Sequence, residues 1–344
     1  MAYTTINKSS VYFNTKLYTG TGSSNALTGV GFQPDWTWIK CRDDSHNHQV
    51  FDAVRGVYKR LRTDTTGAET SSNESLKSFD SDGFTLGTQT NVNQNSATYA
   101  SWNWKANGAG SANTDGGINS TVSVNNTAGF SIVKYGTGTG SATTVGHGLN
   151  AKPNFIIVKP LGTIDTGGWI IGGDNIDSTY NNVLELNEAT AKANDTSFND
   201  TAPTSSVFSV GNNNTNRSGE NYIAYCFVQK TGYSKFGSYT GNGNADGSFI
   251  YTGFKPAFVM VKRTSASGDW QLIDNKREGY NVDNDAIFPN LSNAEDTGDV
   301  ADIVSNGFKV RSSTGTWNAS SATYIFMAFG QSIVGSNNIP ATAR

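Results

Sequence analysis

Charge is scarce in this sequence: only 15% of its 344 residues are Asp, Glu, Lys or Arg, against about a quarter in an ordinary soluble domain. With 25 basic and 28 acidic residues the net charge is −3, so the basic footprint of a nucleic-acid binder is missing. Two cysteines, Cys41 and Cys226, are too few for a disulfide framework and fit folding in a reducing cytoplasm. No run approaches the roughly 20 apolar residues of a membrane helix, so no membrane span is expected. Residues 1–10 are polar and lack an apolar stretch behind a basic start, so no secretion leader is expected either. Heptads of Glu, Lys and Leu and a strict glycine period are both absent, which excludes a coiled coil and a collagen-like helix.

What is present is glycine (38 residues), many Asn and Thr, and 11% aromatics. Aromatic and β-branched runs separated by turn formers predict an all-β protein. The runs recur. Pro34-Asp-Trp-Thr-Trp-Ile-Lys40, Pro153-Asn-Phe-Ile-Ile-Val-Lys159 and Pro256-Ala-Phe-Val-Met-Val-Lys262 share the pattern Pro-x-aromatic-x-x-aliphatic-Lys. A tyrosine followed by glycines precedes each proline: Tyr18, Tyr135 and Tyr239. Downstream, Phe84, Phe208 and Phe308 precede Tyr99, Tyr222 and Tyr324, and large residues follow three and five positions later: Trp102 and Trp104, Tyr225 and Phe227, Met327 and Phe329. A repeat of this kind must be found before the fold is assigned.

The expectation is three tandem β-sandwich, jelly-roll-like modules of roughly 100 residues each. Module 1 spans 1–106, a Gly/Ser/Asn-rich linker 107–128, module 2 129–231, module 3 232–331 and a C-terminal arm 332–344. The linker composition is too polar to pack a core. The second join, Gln229-Lys-Thr-Gly-Tyr-Ser234, leaves little room, so modules 2 and 3 should pack rigidly, with module 1 hinged or held by other contacts. Short helical pieces are expected at 53–62 and 183–192. The repeat logic makes Trp36, Trp102, Trp104, Phe155, Tyr225, Phe227, Phe258, Met327 and Phe329 core anchors.

At these anchors the sequence resembles a repeat family of structural, fibre-like proteins from tailed bacteriophages of marine and cyanobacterial hosts. The stretches that carry the resemblance include Leu17-Tyr-Thr-Gly-Thr-Gly22, Phe79-Asp-Ser-Asp-Gly-Phe-Thr-Leu-Gly87, Ala100-Ser-Trp-Asn-Trp-Lys105 and Gly232-Tyr-Ser-Lys-Phe-Gly-Ser-Tyr-Thr-Gly241. The resemblance implies a non-enzymatic virion protein, assembled in the host cytoplasm and exposed on the particle. An external appendage (tail, neck or head fibre, or spike) that meets the host surface is the first placement, and capsid decoration is the alternative. Its partners would be other virion proteins, further copies of itself, as in a trimer, and a host-surface glycan.

Chemistry-bearing clusters are few. Asp43, Asp44, His46 and His48, beside Cys41, are the densest set of candidate metal ligands. They lack the four well-spaced ligands of a closed zinc site, so an ordinary polar turn is the plainer reading. Arg55, Lys59, Arg60 and Arg62 form the one basic cluster, read as a solvated helix face. Gly20 and Gly22 lack the Gly-Lys-Ser/Thr of a phosphate loop, and no cofactor is expected. Acidic residues such as Asp174, Asp177, Asp269, Asp274 and Asp302 offer no spacing that picks out the carboxylate pair of a polysaccharide depolymerase. Trp317, in a Gly/Thr loop outside the anchor pattern, is the candidate for stacking on a glycan.

Overall fold

The computed structural model describes residues 4–164, 167–211, 214–278 and 285–332. Its regular structure is almost all strand. The first repeat contains β1 (Phe13–Thr19), β2 (Asn25–Thr28), β3 (Trp36–Cys41), β4 (Gln49–Asp52), β5 (Lys59–Arg60), β6 (Thr70–Ser71), β7 (Leu76–Asp80), β8 (Gly83–Leu86) and β9 (Thr98–Trp104). A four-residue helix, α1 (Thr90–Asn93), precedes β9. Next come β10 (Ser111–Asn113), β11 (Ser120–Asn125), β12 (Phe130–Tyr135), β13 (Thr143–Gly146), β14 (Phe155–Pro160) and β15 (Ile170–Gly173). The second repeat ends with β16 (Asn182–Glu185), β17 (Ala193–Asn194), β18 (Val207–Val210) and β19 (Tyr222–Phe227). The third has β20 (Ser234–Thr240), β21 (Phe249–Tyr251), β22 (Phe254–Arg263), β23 (Gln271–Asp274), β24 (Ala301–Val304), β25 (Gly307–Val310) and β26 (Thr323–Ser332).

One antiparallel order occurs three times: β1-β9-β3-β4, β12-β19-β14-β15 inside a longer sheet, and β20-β26-β22-β23. The anchors lie opposite one another in it, as Trp36↔Trp104, Phe155↔Phe227 and Phe258↔Phe329. Against these sheets pack the smaller ones, β2-β8-β7, β13-β18 and β21-β25-β24.

The inner strands are buried along their whole length, which alternation on a half-exposed sheet would not give. Their two faces serve two cores. Ile39, Phe51 and Tyr99 face the small sheet of their own repeat. Trp36, Trp38, Trp102 and Trp104 face away from it into a cluster that also holds Phe155, Ile157, Tyr225, Phe227, Phe258, Met260, Met327 and Phe329. The repeats thus meet around one shared aromatic core. Trp36 stacks on Tyr225 at 4.6 Å, Trp104 meets Phe258 edge-on at 5.5 Å, and Phe227 lies 5.8 Å from Phe329. Aromatic pairs in such geometries add roughly 0.5–1.5 kcal/mol each beyond the area they bury.

Two expectations need correction. Residues 107–128 are not a structureless linker: β11 pairs with β12 along its length, and Val122 is buried. The short alternation Thr121-Val122-Ser123-Val124 was hidden within a Gly- and Asn-rich surround. No helix forms at 53–62 or 183–192. The first region is turns and β5, folded around a buried arginine, and the second begins with β16. Of the two alternatives for the first repeat, a hinge or other contacts, the described residues show contacts: its tryptophans lie in the shared core. Of the expected C-terminal arm, Ser332 ends β26 and residues 333–344 lie outside the described residues.

Candidate interaction surface

The repeats are joined by side chains that reach backward around a ring. Trp169 of the second repeat donates its indole N–H to Arg62 O of the first at 2.7 Å. Trp270 of the third donates to Glu185 O of the second at 2.9 Å. The ring closes through His48 of the first repeat, whose Nε2 bonds Phe288 O of the third at 2.9 Å. Trp38 donates to His48 Nδ1 at 2.8 Å, which fixes the tautomer with the proton on Nε2. Burial holds the imidazole neutral by pushing its pKa well down.

Two buried carboxylates reinforce the joints. Arg55 pairs with Asp52 and Glu69 and donates to Val50 O, while Arg277 pairs with Asp274 and Glu295 and donates to Leu272 O. Asp52 also accepts the Tyr225 hydroxyl at 2.8 Å, and Asp274 the Trp102 indole at 3.1 Å. In the remaining joint the matching anchor is Met327, which has no proton to donate, and Gly173 stands where the aspartates do. The motif lysines are buried as well. Lys262 Nζ donates to Ala189 O, Thr190 O and Arg263 O, and Lys159 Nζ to Thr66 O, Pro160 O and Gly167 O. Burial brings both Lys40 and Lys262 down to about 8.

On the outside, each glycine loop is held by an asparagine six residues before the closing tyrosine. Asn93 Oδ1 accepts Thr21 N, Asn216 Oδ1 accepts Thr139 N, and Asn318 Oδ1 accepts Asn242 N, each at 2.8 Å. Their amide groups donate to Ser23 O, Ser141 O and Asn244 O. Beneath each loop two tyrosines stack: Tyr18 on Tyr99, Tyr135 on Tyr222 and Tyr239 on Tyr324, at 4.9–5.2 Å. The clamps fix the backbone and leave small polar side chains exposed at the tips, among them Thr21, Ser23, Thr139, Ser141, Asn242 and Asn244. Beside the second tip lies an open recess of about 400 Å³ lined by Gly140, Ser141, Ala142, Thr196, Asn199 and Gly211. Such surfaces offer hydroxyls and amides to a polar ligand. Sequence reasoning missed the three asparagines, although aligning the repeats on their closing tyrosines exposes them.

The sequence-derived candidates fare unevenly. All nine core anchors are at most 2% exposed. The metal candidates do not converge: His48 is committed to Trp38 and Phe288, His46 bonds Gln94 Oε1, and the Asp43 carboxylate accepts the N–H and hydroxyl of Thr98. Asp44 remains exposed, 3.9 Å from His46. Trp317 is fully buried, with its indole N–H on Gln271, so it cannot stack on a sugar. The basic cluster is no patch either, since Arg55 is a buried ion-pair member and Lys59 pairs with Glu69 at 3.3 Å. Among the described residues, carboxylates do gather at Glu278, Asp285 and Glu295. Arg42 and Arg277 both pair with Glu295, and Arg42 also with Glu278, so the group reads as an ion-pair network between the first and third repeats.

A family model described as a domain of unknown function, DUF7483, matches residues 8–332. The chain belongs to the DUF7483 family. A DUF7483 domain here takes in all three repeats at once, in keeping with the core they share. No curated protein matches the chain, and no solved structure matches it.

Proposed function

We propose that this chain is a non-enzymatic structural protein of a tailed-phage particle, displayed on the exterior as a compact knob that meets the host surface. The supporting observation is the set of three equally clamped polar loops carried by a closed, rigidly joined ring. Small hydroxyl and amide side chains on pre-ordered backbone suit weak, repeated contacts with a surface glycan, and multiple loops and copies would combine them into avidity. The resemblance to phage structural repeats supplies the particle. A ring of three repeats also presents from one chain the three-sided surface that a trimer would.

The ordered course of residues 107–128 favours a second reading, decoration of the capsid. An extended appendage uses a flexible joint, and the strand pairing there removes the segment that would have supplied it. Quantitative mass spectrometry of purified particles separates the two. A few to a few tens of copies per particle are expected for the knob, whereas hundreds would assign decoration. Absence from the particle would overturn both.

A further inference from the structure

In the second repeat, the gap between the edges of the two sheets is sealed by the chain itself. Ile118 bridges to Val145 of β13, its N–H donating to Thr144 O at 3.0 Å, and β11 then runs along the outer edge of β12. Ser120 Oγ donates to Gly146 O at 3.0 Å, and Ile118 is buried in the core of that repeat. One extended segment, with an aliphatic residue between small polar neighbours, thus binds both edges.

The equivalent edges in the third repeat are β20 and β21, since Ile250 lies opposite Phe308 as Val145 lies opposite Phe208. Among the described residues β20 pairs only with β26, and β21 only with β25. Between them runs an open groove of about 320 Å³, lined by Lys235, Gly237, Ser238, Tyr239, Phe249 and Tyr251. Phe249 and Tyr251 are 48% and 51% exposed, whereas the matching positions carry Ala26 and Thr28 in the first repeat and Thr144 and Gly146 in the second. Lys235 spans one end, 5.2 Å from the Tyr251 ring centre and bonded to Tyr251 O at 2.8 Å. Phe236 N faces Gln229 and Thr240 O faces Ser248, so by strand alternation Ser238 between them turns its own N–H and C=O outward. An unpaired edge flanked by exposed aromatics is an arrangement that soluble proteins ordinarily avoid.

We propose that this groove is a strand-addition site. Its occupant is an extended segment of another polypeptide that bears an aliphatic residue flanked by small polar ones, chemically like residues 116–124 of this chain. The outward backbone groups of β20 select a peptide backbone, and the aromatic pair takes the place of the missing Ile118-like plug. The inference is independent of the virion reading.

The test is binding of a labelled peptide with the sequence of residues 114–126 to the full chain, together with its F249S and Y251S variants. Both positions are exposed, so the variants are expected to melt like the parent. The expected result is saturable binding that protects β20 amides from hydrogen exchange and weakens by at least about tenfold in each variant. S238P, which removes one outward donor, is expected to weaken binding similarly. No binding, binding indifferent to all three substitutions, or protection confined to the second repeat would overturn the proposal. So would a groove that takes up oligosaccharides and not the peptide.

Discussion

The Tyr225 hydroxyl donates to Asp52 Oδ2 at 2.8 Å, so a side chain of the second repeat completes a buried ion pair in the first. Asp52 is fully buried and Arg55 nearly so. Removing the Asp52 charge leaves the buried Arg55 with only the partly exposed Glu69 as a counter-charge, at a cost of up to about 3–5 kcal/mol. Asp52→Asn is therefore expected to lower unfolding free energy by up to that amount in urea titrations. Tyr225→Phe, which leaves the pair and removes one donor, should cost about 1–3 kcal/mol. The double variant should show clear non-additivity, because both changes act on one carboxylate.

The tryptophans of β9 make a sharper contrast. Trp104 Nε1 is buried and has no hydrogen-bond partner among the described residues, and the other repeats place Phe227 and Phe329 at its position. Trp104→Phe removes an unsatisfied donor and should change stability by less than about 1.5 kcal/mol. Trp102→Phe takes a donor from Asp274 and should cost more. Equal effects from the two would contradict this account of the joints.

Acid should unfold the protein through its buried imidazoles. His48 is pushed well down and His147 to about 4, in both cases chiefly by burial. Between about pH 4 and the unfolded value near 6.5 the unfolded chain binds more protons, so stability present above 6.5 is lost as pH falls. Urea midpoints from pH 7 to 4.5 should decline, and His147→Gln should flatten the decline. A flat wild-type profile would remove the histidines from the explanation.

At the alkaline end the lysines act with the same sign. Lys262 titrates near 8 in the folded protein, against about 10.4 when unfolded. Above pH 8 the folded state gives up a proton the unfolded chain keeps, so the lysine's contribution becomes more favourable as pH rises through this window. The stability difference between wild type and Lys262→Met should therefore shift in favour of wild type from pH 8 to 10. The paired comparison cancels the opposite trend of Cys226, whose thiol burial pushes up.

Much of the repeat was legible because its largest side chains recur at fixed spacing, and Trp36, Phe155 and Phe258 are all core residues. The shared centre was not, because Trp36-Thr37-Trp38 alternates apolar and polar as a half-exposed strand does, although Thr37 is buried too. Lys40 added to the ambiguity: a lysine closing a strand suggests water, yet its ammonium is held by Cys41 O and Asp44 O. Trp317 misled for the opposite reason. Its loop is made of Gly and Thr, but the indole fills the core of the third repeat. Of the candidate surface, the glycine loops were visible as turns, whereas the asparagines that order them act across more than 70 residues of sequence.

The claim that one core joins the three repeats is tested most directly by Trp36→Ala, read by hydrogen exchange at each repeat. A buried tryptophan truncation costs about 3–5 kcal/mol. If the ring unfolds as one unit, the slowest amides of β3, β14 and β22 should lose protection by the same free energy. Loss confined to β3, with β14 and β22 unchanged, would contradict a shared core and make the repeats separate domains.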